Sequence, residues 1–206
     1  MEKSGKVKGL SKVFVGENGK KGVKSPDGDI IVPANYDEIK YAYNYPQLAK
    51  ISYVATRNGK MGLVSPDGSG NEVTPFLYDD IIFLFTAGCF VCRKEGSKKL
   101  GILWYNGNEI MPCNLDSCDC SGQTIYFSRD NHQGLLQTEI GVLLEPIYDD
   151  IQIEDPEEPS IFTLNGVKGY VKSADKSFIP ETMSKTMDED DWHDLLLECI
   201  CDMYND

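Results

Sequence analysis

Long apolar runs are missing from this chain. No stretch approaches the roughly 18 apolar residues that mark a membrane-crossing helix, so none is expected. Positive charge is scarce: 20 Lys and Arg stand against 33 Asp and Glu, for a net charge of −13. That balance argues against a basic face for DNA, RNA or an anionic membrane, and it permits a basic protein partner. Histidine is nearly absent. Only His132 and His193 occur, and neither sits in a pattern that would activate a Ser or Cys nucleophile. There is no phosphate-binding loop, no G-x-S-x-G and no H-E-x-x-H. Residues 1–10 carry positive charge with no apolar stretch behind it, which is not the pattern of a signal peptide. Seven cysteines is an odd number, so complete pairing would leave one over. With no export signal, free thiols in a reducing cytosol are expected, and a cytoplasmic location with them.

What the chain does have is repetition. Gly62 to Ile81 reads G-L-V-S-P-D-G-S-G-N-E-V-T-P-F-L-Y-D-D-I, a strand, a tight turn, a second strand and a Tyr-Asp-x-Ile corner. The same sentence starts at Gly22 and ends at Tyr36-Asp37-Glu38-Ile39. It recurs from Gly134 to Tyr148-Asp149-Asp150-Ile151. Worn copies start at Gly101, ending in Leu115-Asp116-Ser117-Cys118, and at Gly169, where Met183-Ser184 replace Tyr-Asp. From each glycine to its Tyr-equivalent there are 14, 16, 14, 14 and 14 residues, and successive glycines are 40, 39, 33 and 35 apart. A period of this length marks a repeat architecture.

Each frame residue has a physical reason. In Ser-Pro-Asp-Gly, proline pre-sets the first corner, aspartate bonds nearby backbone and glycine takes a positive φ. The proline before Tyr cannot donate to a ladder, so it should end a strand or lie on an edge. The Asp after Tyr is expected to accept from backbone amides two residues on. Tyr and Ile, three apart, should anchor the bend with apolar area.

The pattern G-V/L-x-S-P-D-G-x-x-x-x-P-x-x-Y-D-x-I resembles that of the bacterial WG-repeat family over roughly residues 12–183. The family usually has Trp before the glycine, whereas Lys21, Met61, Leu100, Gln133 and Lys168 stand there in this chain. It is therefore similar to a divergent member lacking the Trp. The resemblance implies binding or scaffolding rather than a reaction, and brings no catalytic residues with it.

Hairpin signals punctuate the chain, with Asn18-Gly19, Asn58-Gly59 and Asn165-Gly166 the plainest. The expected fold is all-β, with about five tandem antiparallel β-meander repeats of about 37 residues, propeller-like, over residues 1–183. An open β-solenoid of stacked hairpins is the alternative. The short strand Lys12–Val15 is placed to pair with the last unit if the repeats close a ring. Residues 184–206 form an acidic C-terminal amphipathic helix: Trp192, Leu195, Leu196, Cys199, Ile200 and Met203 share one face. Thr186 and Glu189 read as its capping box. Its stripe is expected to pack on the last repeat as a cap, and docking into a partner is the sharper reading.

Five cysteines, Cys89, Cys92, Cys113, Cys118 and Cys120, have a spacing that suggests zinc, but the repeat assigns Cys113 and Cys118 to packing positions. Neither a metal nor a cofactor is expected. The neighbouring carboxylates Asp79-Asp80, Asp149-Asp150 and Asp37-Glu38 recur with the repeat and should point apart, as structural groups. Partner contacts are expected at Tyr41, Tyr43 and Tyr45, on an inserted loop, and at Asp190, Asp191 and Asp194 on the acidic helix. The functional expectation is a non-catalytic cytosolic protein-binding module with a basic protein partner. One concrete form is an inhibitor or immunity protein that masks a toxin or nuclease. A small-ligand or glycan binder is the alternative. It requires an equivalent polar-aromatic set in each repeat, and the positions outside the frame differ.

Overall fold

A computed structural model describes residues 11–40, 50–138, 140–152 and 158–200. The chain divides into two compact units, Met1–Cys113 and Asn114–Asp206. In the first, β1 (Lys12–Val15), β2 (Lys21–Lys24) and β3 (Ile30–Tyr36) form an antiparallel sheet in chain order. β1 finds its partner in β2, and Gly19 takes the positive φ that their tight hairpin needs. The second repeat supplies β4 (Glu38–Lys40), β5 (Tyr53–Arg57) and β6 (Lys60–Val64). The third supplies β7 (Tyr78–Leu84), β8 (Cys89–Lys94), β9 (Leu100–Trp104) and β10 (Glu109–Leu115). The two repeats are joined by the single pair Met61↔Tyr78, so β4 to β10 make one seven-stranded sheet. The fourth strand of the second repeat shrinks to the bridge Val64↔Glu72. Its turn is two residues longer than the others, and Gly68 and Gly70 both bend it at positive φ.

The division between units falls within β10. The second unit holds two four-stranded meanders, both in chain order. One is β11 (Ser117–Ser121), β12 (Thr124–Arg129), β13 (His132–Gln137) and β14 (Gly141–Tyr148). The other is β15 (Asp150–Gln152), β16 (Ile161–Leu164), β17 (Val167–Val171) and β18 (Phe178–Pro180). A 3-10 helix, Glu181–Lys185, and α1, Glu189–Leu197, follow. The fold is thus all-β, built of five antiparallel meanders with a C-terminal helix. Pro33, Pro112 and Pro146 lie within β3, β10 and β14, the outer strands of their meanders, where a missing N–H costs no ladder bond.

The frame residues are the core. Tyr36, Tyr78, Tyr148 and Leu115 are buried, as are Ile39 and Ile81. In the first unit Tyr36 and Ile39 pack with Val23, Val32, Ala55 and Val64, and Tyr78 and Ile81 pack with Leu63, Phe90, Cys92 and Leu103. In the second, Tyr148 packs with Leu135, Leu144, Phe162 and Val171. Each cluster takes residues from two successive repeats, so a repeat buries its face against its neighbour. The fifth copy departs: the chain enters the 3-10 helix after Pro180, and Met183 is exposed where the others bury Tyr or Leu.

The five frame glycines have no room for a side chain. A Cβ on Gly22 would stand 2.5 Å from the Val32 carbonyl oxygen, and one on Gly134 2.6 Å from that of Leu144. Both sit where the pairing register shifts, at a bulge that brings two backbones together. The frame glycine thus answers to close approach rather than to a positive φ.

Candidate interaction surface

The frame aspartates do something the sequence did not reveal. Each reaches forward to the hairpin turn of the following repeat, rather than to amides two residues on as expected. Asp37 Oδ2 accepts from Asn58 N at 2.7 Å and Asp79 Oδ2 from Gly96 N at 3.3 Å. In the second unit Asp116 Oδ2 accepts from Asp130 N at 2.7 Å and Asp149 Oδ2 from Gly166 N at 2.8 Å. The receiving amides lie 14 to 21 residues away, in turns whose own backbone cannot satisfy them. A lysine from the hairpin of the aspartate's own repeat completes two of these joints: Lys20 pairs with Asp37, and Lys60 with Asp79 at 2.7 Å. Lys20 holds the Asp37 carboxyl below the usual carboxylate range, and Lys60 does the same to Asp79.

In two of the three neighbouring pairs the carboxylates turn to different partners. Beside Asp37, Glu38 turns to Lys21 Nζ at 2.7 Å through Oε1. Beside Asp149, Asp150 accepts from Gln133 Nε2 at 3.3 Å and Gln152 Nε2 at 2.7 Å. Lys21 and Gln133, each just before a frame glycine, thus make polar contacts to the corner that follows. Burial pushes the Tyr36 phenol up to about 12, followed in effect by the charge of Glu72. Glu72 is held by Arg57, which lies 4.4 Å from the Phe76 ring centroid, while Phe76 stacks on Tyr36 at 5.5 Å. These groups lock the first two repeats together.

Tyr41, Tyr43 and Tyr45 lie outside the described residues. Asp190, Asp191 and Asp194 all lie exposed on α1. The helix starts later than expected: Asp188, not Thr186, is its N-cap, its carboxylate accepting from Asp191 N at 2.9 Å. That bond holds the Asp188 carboxyl below its ordinary range. Thr186 instead closes the 3-10 helix, donating to the Met183 carbonyl at 2.9 Å. The helix also ends earlier, at Leu197, because the backbone beyond it is taken up by the last sheet. Lys172 and Cys199 form a bridge, Ser173 N donates to the Glu198 carbonyl and Ile200 N to that of Val171, each at 2.8 Å. Ser160 N donates to the Ile200 carbonyl at 2.8 Å, and Lys172 Nζ pairs with Glu198 at 2.7 Å.

Cys199 is buried and Ile200 packs against the second unit's core, while Trp192 meets Tyr170 edge-on at 5.7 Å. No helix residue is fully buried, so α1 rests on the surface of the last meander, anchored by the strand-like segment after it. The acids of its outer face are left to solvent. Among the described residues, no group of three or more His, Cys, Asp or Glu side chains converges as a metal site, and no helix is long and apolar enough to cross a membrane.

No family model matches the chain, and no curated protein does. Among solved structures it is similar to one described as the eukaryotic initiation factor, with 11% identity and a TM-score of 0.38 over 75% of this chain and 48% of that one. It is similar to Kluyvelomyces marxianus Hsv2, with 7% identity and a TM-score of 0.32 over 84% and 64% of the two chains. It is also similar to PorZ of Porphyromonas gingivalis, a surface component of the type-IX secretion system, with 10% identity and a TM-score of 0.31 over 82% and 25%. The chain spans less than two thirds of the length of each. The architecture rests on the strand registers above, not on these likenesses.

Proposed function

We propose that the chain is a non-catalytic module that binds a basic protein, as an inhibitor or immunity protein does when it masks a cationic toxin or nuclease. The supporting observation is how its carboxylates divide. The frame aspartates are taken up in the joints between repeats. Residues 188–206 instead carry eight acids and no Lys or Arg, and Asp190, Asp191 and Asp194 face solvent on α1. A field of one sign steers and selects a partner of the other. The recurring Gly…Pro…Tyr-Asp-x-Ile frame supports reading the repeats as a divergent bacterial WG-repeat set in which Lys21 and Gln133 take polar roles at the Trp position.

The test is co-expression with the cationic proteins encoded beside this chain, then size-exclusion chromatography and an activity assay of each with and without an equimolar amount of the chain. A stable complex with loss of the partner's activity is expected. If every neighbour elutes separately and keeps its activity, the inhibitor reading fails.

A further inference from the structure

In four of the five repeats an aromatic ring covers the frame glycine. A Cβ on Gly22 would strike Phe14, on Gly62 Phe76, on Gly134 Phe127 and on Gly169 Phe178. The third repeat differs. The atoms nearest to a Cβ on Gly101 are Cys113 Sγ at 2.8 Å, then Cys113 N and the Met111 carbonyl oxygen, both at 3.0 Å. Cys92 pairs with Gly101 across β8 and β9, and its Sγ lies 3.8 Å from that of Cys113. Two thiols thus stand where the other repeats place a ring. Cys92 is 2% exposed, and Cys113 is half-buried, which leaves one side of the pair open. Tyr78, Ile81, Phe90 and Leu103 make the surroundings apolar.

These thiols are poorly placed for a disulfide. They sit on β8 and β10 with β9 between, and two strand spacings separate their Cα atoms by about 9–10 Å. A disulfide tolerates no more than about 7 Å without backbone movement. They are equally unsuited to zinc, which takes four ligands in structural sites. Two thiolates suit a soft ion instead. With metal–sulfur bonds near 2.3 Å, a two-coordinate ion spans up to about 4.6 Å between sulfurs, within reach of this pair by a small opening or a bent geometry.

We propose that Cys92 and Cys113 form a two-coordinate dithiolate site, over Gly101, for a soft monovalent cation of the Cu(I) type. Binding breaks two S–H bonds and forms two S–Cu bonds, releases two protons and moves no electron. Burial pushes the Cys92 thiol up, so without a metal it packs as a small hydrophobe. A coordinating soft cation displaces the thiol protons outright.

The test is an anaerobic titration of the reduced full chain with Cu(I) against bicinchoninate, with X-ray absorption at the copper edge. One Cu(I) per chain should be withheld from the chelator, with two sulfur neighbours. Affinity should fall by at least about tenfold in C113A, the size of effect expected from damage to a metal site. It should fall likewise in C92A/C113F, which gives the third repeat the Ala55 and Phe76 combination of the second. C118A/C120A should bind as the parent does. The proposal is overturned if the parent withholds no copper, if C113A binds undiminished, or if binding follows Cys118 and Cys120. Should C92A/C113F fail to fold, C113A alone decides.

Discussion

At the scale of single residues, the frame glycine and the frame aspartate are constrained by opposite things. The glycine is held by what touches it, so Gly134→Ala must push a methyl group into the Leu144 carbonyl. Relief requires backbone movement, and a loss of about 2 kcal/mol or more is expected in denaturant unfolding, in line with overpacked cores. Tyr78→Ala opens a hole in its cluster, at a cost of about 3 kcal/mol or more. A shift in melting of no more than a degree or two would remove Tyr78 from the anchors. The aspartate is held by what it reaches. Asp37 and Asp79 titrate below the ordinary 3.8 in the folded chain. Their contribution is therefore complete above that value and is lost as the pH falls through the lowered one. D37N/D79N should flatten the acid limb of melting temperature against pH, and salt should shrink the difference from the parent because these pairs are partly exposed. An acid limb that overlays the parent's would show the joints contribute nothing. That a glycine and a Tyr-Asp recur was legible from spacing alone. Their targets were not, because a hydrogen bond to an amide 14 to 21 residues on leaves no local pattern in the chain.

Among elements, the C-terminal helix shows how far periodicity carries and where it stops. The stripe from Trp192 to Met203 was readable, and its first members do share a helix, while Met203 lies outside the described residues. The period could not show that the helix stops at Leu197, because Cys199 and Ile200 fit the stripe and are buried by a different device, a strand-like return to Val171 and Ser160. Nor could it choose between two acceptable caps: Asp188 and Thr186 both suit an N-cap, and the tight turn Glu181–Lys185 claims Thr186 first. Ile200 packs against the core of the second unit, whereas Trp192 makes an edge-on contact with Tyr170. Ile200→Ala should lower stability by about 2 kcal/mol, as truncation of a partly buried aliphatic does. Trp192→Ala, removing one edge-on ring contact from a half-buried site, should cost less, about 1 kcal/mol. Urea unfolding of both variants orders them. If Trp192→Ala proves the more costly, the helix rather than the return segment is the anchor. A truncation after Ser184 that melts like the full chain would sink the cap altogether.

For the molecule as a whole, the quantity that matters is where charge sits. The total of −13 divides into −8 in residues 188–206 and −5 in the preceding 187. The division was plain from composition, but which acids are free to act was not. The same count includes Asp37, Asp79, Asp116 and Asp149, whose carboxylates close joints between repeats. Asp188 caps its own helix, and Glu198 is tied to Lys172. Asp190, Asp191 and Asp194, with Glu189, are exposed on α1. Changing them to Asn removes three charges without removing a buried atom, so melting should move by no more than about 0.5 kcal/mol, the usual range for surface substitutions. Association with the proposed cationic partner should respond differently. Oriented charge acts on the encounter, over a distance of about 8 Å at physiological ionic strength. D190N/D191N/D194N should therefore slow association while leaving dissociation nearly unchanged, and should flatten the fall of on-rate with added salt. Stopped-flow binding at several salt concentrations reads both. An on-rate and a salt slope equal to the parent's would clear the helix of any part in steering, and a dissociation rate that rises alone would mean these side chains touch the partner directly.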